Sequence, residues 1–239
     1  MTFTTRIGAA SAIALLVGAA GASAATLDIS GISAGWSAVD PVSVTINNGD
    51  PLSTLRWGGD TGEGQSGYDF TRAATPINNI AEDTAFLVGN FVHLNNPVFP
   101  PSLNSANLDV DITIVNGPGV ISSTFSMSHN ETTNSGNCGG DGSVIPCDDY
   151  ITVSNAPGGT AFSIGNVDYV FQVLGFSTDG GTTILDQFRT QEEQNNPAGL
   201  YAKFTATTNV NVVPLPAAGW LLLAGVGGLA AVRRKKKAA

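Results

Sequence analysis

The sequence predicts an all-β fold, an antiparallel β-sandwich of jelly-roll-like build. Three observations carry that expectation. Short runs of alternating apolar and polar residues recur between 26 and 210, most cleanly in "NLDVDITIVNG" at 107–117. Turn-forming clusters such as "NNGD" at 47–50 separate these runs at hairpin-like spacings. No interior window of 12 or more residues repeats its apolar positions with a 3.6-residue period. Seven to ten short strands with such turns belong to a sandwich. A β-helix is the alternative fold, but the chain shows no fixed repeat length.

Taken in order, "VSVTINNGD" at 42–50 alternates and then stops at its turn. In 107–117, Leu108, Val110, Ile112 and Ile114 should face inward, with Asp109, Asp111 and Thr113 outward. "VISSTFSMSH", "DYITVS", "VDYVFQVLGFST" and "GLYAKFTATTNV" repeat the pattern. "ILDQFRTQEEQ" at 184–194 is the single interior stretch expected to form a short helix. No interior linker interrupts the pattern, so residues 25–210 read as one domain.

Both flanks differ from this domain. Residues 1–24 place Arg6 before the apolar "IGAASAIALLVGAAGA" and end in "ASA", the layout of a secretory signal peptide. A run without a polar face cannot lie half-exposed on a domain. Residues 211–239 form a tail. Its uncharged stretch, about 217–232, is followed by Arg233, Arg234, Lys235, Lys236 and Lys237. As a transmembrane helix that stretch would span about 24 Å, short against a hydrocarbon core of about 30 Å. Trp220 and the cations suit the two interfaces, with the basic end in the cytoplasm and the domain outside. Pro214 and Pro216 keep the helix from starting earlier.

All 19 acidic residues and only four basic ones lie between these flanks, so the domain carries a net charge of −15. Such a body repels phosphate backbones, which argues against nucleic acid as a partner. Cys138 and Cys147 are the only cysteines. In an exported chain a disulfide is the leading reading. Metal ligation is its rival, but two thiols need more donors than His129, nine residues away.

Sites of chemistry are sparse. His93 and Asn95 point the same way on a strand. They could contact a ligand or polysaccharide, but a buried hydrogen-bonded pair pinning the "NNP" turn is the plainer role, with Leu87 and Phe91 expected on the same face. Asp109 and Asp111 share a face, as acid–base carboxylates do, and as exposed strand residues do more often. "GGDTGEGQSGYD" (58–69) and "CGGDGSVIPCDD" (138–149) offer oxygens suited to Ca²⁺ but follow no calcium-loop spacing. Serine nucleophiles lack an elbow motif, and only His93 and His129 could act as base. No catalytic residue, cofactor or metal site is therefore expected. Trp36, Trp57 and Tyr68 would be the stacking residues if the domain were instead a carbohydrate-binding module, and Asp109 or Asp111 the acids of a glycan hydrolase.

The tail resembles the VPLPA-CTERM variant of the PEP-CTERM sorting signals of Gram-negative bacteria. Val213, Pro214, Leu215, Pro216 and Ala217 supply "VPLPA", followed by the short Gly-rich span and the basic end. The resemblance implies export through the inner membrane and recognition by an exosortase-type processing enzyme. That enzyme would remove the tail and pass the body to the cell surface or to extracellular polysaccharide. The body resembles the choice-of-anchor K domain, sometimes marked by a THxN motif, in "LRWG" (55–58), "QSGYDF" (65–70), "FLVGNFVHLNNPV" (86–98) and "ETTNSGNC…PCDDYITV" (131–153). Val92 stands where that motif has Thr, while His93 and Asn95 keep their places. This second resemblance implies a fold and a setting, not an activity. Together the readings describe a non-enzymatic surface or matrix protein.

Overall fold

The computed structural model describes residues 26–41, 43–134, 137–139, 145–155 and 159–207. The signal peptide at 1–24 and the tail at 211–239 lie outside the described residues. Among the described residues, no helix is long and apolar enough to cross a membrane.

The described chain is all-β. Its first strands are β1 (Thr26–Asp40), β2 (Thr45–Asn48), β3 (Leu52–Trp57), β4 (Gly59–Asp60) and β5 (Ser66–Arg72). Next come β6 (Ile77–Ala81), β7 (Phe86–Asn95), β8 (Val98–Phe99), β9 (Ser105–Ile114) and β10 (Val120–Asn130). The last are β11 (Asp149–Asn155), β12 (Thr160–Ile164), β13 (Val167–Ser177), β14 (Gln187–Thr190) and β15 (Gln194–Thr207). This exceeds the seven to ten strands expected, because ladders as short as β4 and β8 leave little trace in an alternation pattern. One antiparallel sheet has six strands in the order β14-β11-β10-β9-β1-β6. A second has seven in the order β12-β13-β15-β7-β5-β3-β2, and β4 pairs with β8 separately.

The alternation of β9 is as read from the sequence. Leu108, Val110, Ile112 and Ile114 are buried, and Asp109 and Asp111 are exposed. The expected helix at 184–194 is absent. Gln187–Thr190 is instead β14, paired with β11, with Phe188 and Thr190 buried and Gln187 and Arg189 exposed. A two-residue period won there because Phe188 closes on Phe91 and Phe176, with ring centroids at 6.2 and 5.4 Å. Tertiary burial outweighs the weak helical preference of the polar residues around it.

The two large sheets share one buried cluster. A chain of rings runs through it, with centroids 5.5 Å apart for Trp36 and Tyr68, 4.9 Å for Tyr68 and Phe91, and 5.1 Å for Phe91 and Phe176. Such offset contacts add about 0.5–1.5 kcal/mol each beyond area burial. Polar stitches join the layers too. The Asn48 side chain accepts from Trp36 N at 2.8 Å and donates to Trp36 O at 3.1 Å, and Ser53 Oγ donates to Ala34 O at 2.7 Å. Cys138 and Cys147 form the expected disulfide. Beside it, Thr132 Oγ1 donates to Cys147 O at 2.8 Å, fixing the chain just after β10 against the chain just before β11.

One irregularity decides which face of β7 is inside. Between Leu87 and Gly89, β7 has one residue more than its partner β15. Phe86 and Val88 are buried before this bulge, and Phe91, His93 and Asn95 after it. Leu87 therefore does not share the His93 face, contrary to simple alternation, because a bulge shifts the two-residue count. Gly89 makes the close approach possible: a Cβ there would lie 2.3 Å from Phe70 Cζ and 2.6 Å from Thr71 O. Gly89→Ala should destabilise the protein by about 1–3 kcal/mol, measured as a lower midpoint in urea. A midpoint unchanged from wild type would show that β7 tolerates the added methyl.

Candidate functional site

At one end of the aromatic core, polar side chains from both sheets meet. His93 comes from β7 in the seven-stranded sheet. His129, on β10, and Asp149, at the start of β11, come from the six-stranded sheet. Glu131 follows β10, and Glu192 sits in the turn between β14 and β15. One nitrogen of each histidine and one oxygen of Asp149 lie within 4.8 Å of one another. Single oxygens of Glu131, Asp149 and Glu192 meet the same limit. His93 and Asp149 are fully buried, and Glu192 is 6% exposed.

Hydrogen bonds orient these groups. Thr190 Oγ1 lies 2.9 Å from His93 Nδ1 and 3.4 Å from the Asp149 carbonyl oxygen. Its proton goes to that carbonyl, so it accepts from His93 Nδ1–H, and the lone pair of His93 is on Nε2. Ser66 Oγ stands 3.5 Å from that Nε2 but donates to Leu94 O at 2.9 Å. The two are thus not an activated nucleophile and base. Tyr68 Oη is 2.6 Å from His129 Nδ1, and Glu131 Oε2 is 3.3 Å from His129 Nε2. With a carboxylate at Nε2, that nitrogen carries the proton and Tyr68 donates to Nδ1. Asp149 Oδ1 accepts from Thr132 N at 2.7 Å, and Thr132 Oγ1 lies 3.1 Å from the same oxygen. Trp57 walls the site, stacked on His93 at 5.7 Å and edge-on to His129 at 5.4 Å.

Charge balance at this end is incomplete. Asp149 Oδ2 and both Glu192 carboxylate oxygens accept no hydrogen bond from the described residues. The Glu193 N–H and Asn134 lie where they favour the Glu192 anion, but outside hydrogen-bonding geometry. The four arginines and lysines of the described domain all pair elsewhere. Arg56 pairs with Asp69, Arg72 with Asp50, Arg189 with Asp148 and Lys203 with Asp83. Burial, with Asp149 and Glu131 nearby, pushes Glu192 up to about 8. Burial and Glu131 push Asp149 up to about 6, against the hydrogen bonds from Thr132. Burial, then His129, holds His93 well below the usual histidine range, so it is a neutral imidazole. Burial likewise keeps Tyr68 protonated.

The other anticipated positions fall away from this cluster. Asn95 is buried beyond His93, but its side-chain oxygen and nitrogen have no partner among the described residues, so the two are not a bonded pair. Asp109 is exposed and accepts from Thr124 Oγ1 at 2.7 Å. Trp36, Trp57 and Tyr68 are buried at 2%, 0% and 0% exposure, so none can stack on a sugar from solvent. In the 58–69 loop, Asp60 Oδ1 accepts from Gly62 N and Gly64 N at 2.7 and 2.9 Å, which lowers its pKa. That carboxylate thus serves the backbone of its own loop. The 138–149 loop, partly outside the described residues, contributes Asp149.

Glu131, Thr190 and Glu192 were not singled out by sequence reasoning, and Asp149 entered only as one oxygen source of the 138–149 loop. A weak signal existed. Trp57, Tyr68, His93, Glu131 and Asp149 lie in the stretches 55–58, 65–70, 86–98 and 131–153 quoted above, and the fold gathers all four stretches at this one end. No family model and no curated protein matches the chain.

The Glu192 carboxyl is easier to ionise unfolded, near 4.5, than folded, at about 8. Folded chains thus hold more protons in between, and stability falls as pH rises through that window. Above pH ~6.5 each unfolded histidine has at most about half a proton left to lose, so Glu192 governs the slope. Chelator-treated protein should melt about 2–5 °C lower at pH 8 than at pH 6.5. Glu192→Gln should remove most of that difference. A melting temperature that rises across this interval, as read by circular dichroism, contradicts the assignment.

Proposed function

We propose that this chain is an exported, exosortase-sorted, non-enzymatic protein of the cell surface or extracellular matrix, its body a jelly-roll-like β-sandwich. The observation that carries this reading is the order of the tail. Val213, Pro214, Leu215, Pro216 and Ala217 precede a short apolar span, which Arg233–Lys237 closes. An extended Pro-x-Pro segment offers its backbone to a processing enzyme without unfolding a strand or helix. The short span anchors the precursor marginally, and the cations hold its end on the cytoplasmic side.

The fold supports this reading in two ways. Every described strand lies between Thr26 and Thr207, so removing the signal at 24 and the tail after 213 leaves the sheets entire. The Cys138–Cys147 disulfide suits an oxidising compartment outside the cytoplasm. An acidic body retained outside the cell would meet polysaccharide as a neighbour rather than as a substrate.

In the producing bacterium, intact mass of the mature protein should show loss of both the signal and the tail. Pro214→Ala combined with Pro216→Ala should leave the tail attached and the protein in the membrane fraction. Unaltered maturation in that variant defeats the proposal. So does a mature form found only free in the medium, with none sedimenting with the producer's exopolysaccharide.

A further inference from the structure

We propose that His93, His129 and Asp149 form a buried site for one Zn²⁺ ion, with Glu131 beside it, clamping the two sheets together. This rests on the geometry of the described domain and does not depend on how the tail is processed.

The three ligands are each held by the atom that faces away from the metal. Thr190 takes Nδ1 of His93, Tyr68 takes Nδ1 of His129, and Thr132 takes Oδ1 of Asp149. What remains is Nε2 on both imidazoles and Oδ2 on the carboxylate. Metal-binding histidines are oriented in this way by partners on the opposite nitrogen. With zinc on Nε2 of His129, the ring proton moves to Nδ1 and is donated to the Tyr68 oxygen, whose own hydroxyl proton rotates away from the ring. Glu131 Oε2, 3.3 Å from His129 Nε2, already stands at about the edge length of a zinc tetrahedron. Asp149 Oδ2, at 3.9 Å from the same nitrogen, needs to close by about half an ångström.

The surroundings ask for a cation. Asp149 Oδ2 and both Glu192 oxygens are buried acceptors without donors among the described residues. The described arginines and lysines pair with Asp69, Asp50, Asp148 and Asp83, all outside the site. Two imidazoles and a carboxylate select zinc over calcium or magnesium, which prefer all-oxygen shells. The indole of Trp57 packs against both imidazoles, giving the apolar shell that strengthens such a site. A metal here joins β7 of one sheet to β10 and β11 of the other, so its role is structural.

The full sequence contains only two histidines, which makes the test decisive without mutagenesis. The untagged full chain in detergent should retain about one zinc per chain after dialysis, as measured by elemental analysis. Its melting temperature should rise by about 5–10 °C at a hundredfold excess of zinc over its Kd. Cu²⁺ used as a probe should show two coupled imidazole nitrogens by pulsed electron paramagnetic resonance. Asp149→Asn and His129→Gln should each weaken zinc binding at least tenfold. Lack of stoichiometric zinc overturns the proposal, as does a copper signal with one imidazole or none. If the variants fail to fold, the imidazole count in the wild type still decides.

Discussion

Burying carboxylates in a low-dielectric interior is the constraint around which this domain is organised. Asp149 and Glu192 sit among Trp57, Tyr68 and two imidazoles, in a body with few cations to spare. A buried anion with unpaired oxygens must take a proton, a hydrogen bond or a metal. The hydrogen bonds here reach only Oδ1 of Asp149 among those oxygens. Burial without donors is why both carboxyls hold their protons to higher pH than ordinary carboxylates, Asp149 to about 6 and Glu192 to about 8.

That arrangement is tolerable because the core around it is one continuous cluster. The rings from Trp36 through Tyr68 and Phe91 to Phe176 and Phe188 cross between the sheets and set their spacing. Tyr68 belongs to both systems, packing its ring into the core and turning its hydroxyl to His129. The polar end therefore cannot rearrange without disturbing the apolar one. A polar cluster so placed costs stability unless fully compensated, and is better understood as a device that holds two layers in register.

The export reading and the buried cluster address different parts of the protein. On the proposed reading the tail directs where the chain goes, through a segment outside the described domain. The cluster concerns how the domain holds itself together. The Cys138–Cys147 disulfide and the Thr132–Cys147 hydrogen bond beside it tie the chain after β10 to the chain before β11, next to that cluster.

What the sequence by itself determined was local. Alternation in β9 put Leu108 and Val110 inside and Asp109 outside, since a strand's side chains obey a two-residue period wherever it lies. The absence of helical periodicity told the fold class for the same reason, and the two cysteines of the chain, with eight residues between them, told their pairing. Only the tertiary structure decided the rest. The bulge before Gly89 changed which β7 residues face inward, and Phe188 made a strand of a segment that looked helical. His93 meets Thr190 across 97 residues of sequence, and Tyr68 meets His129 across 61. No short-range pattern encodes such meetings, because they arise when two sheets close on one another and bring distant strand ends to the same depth.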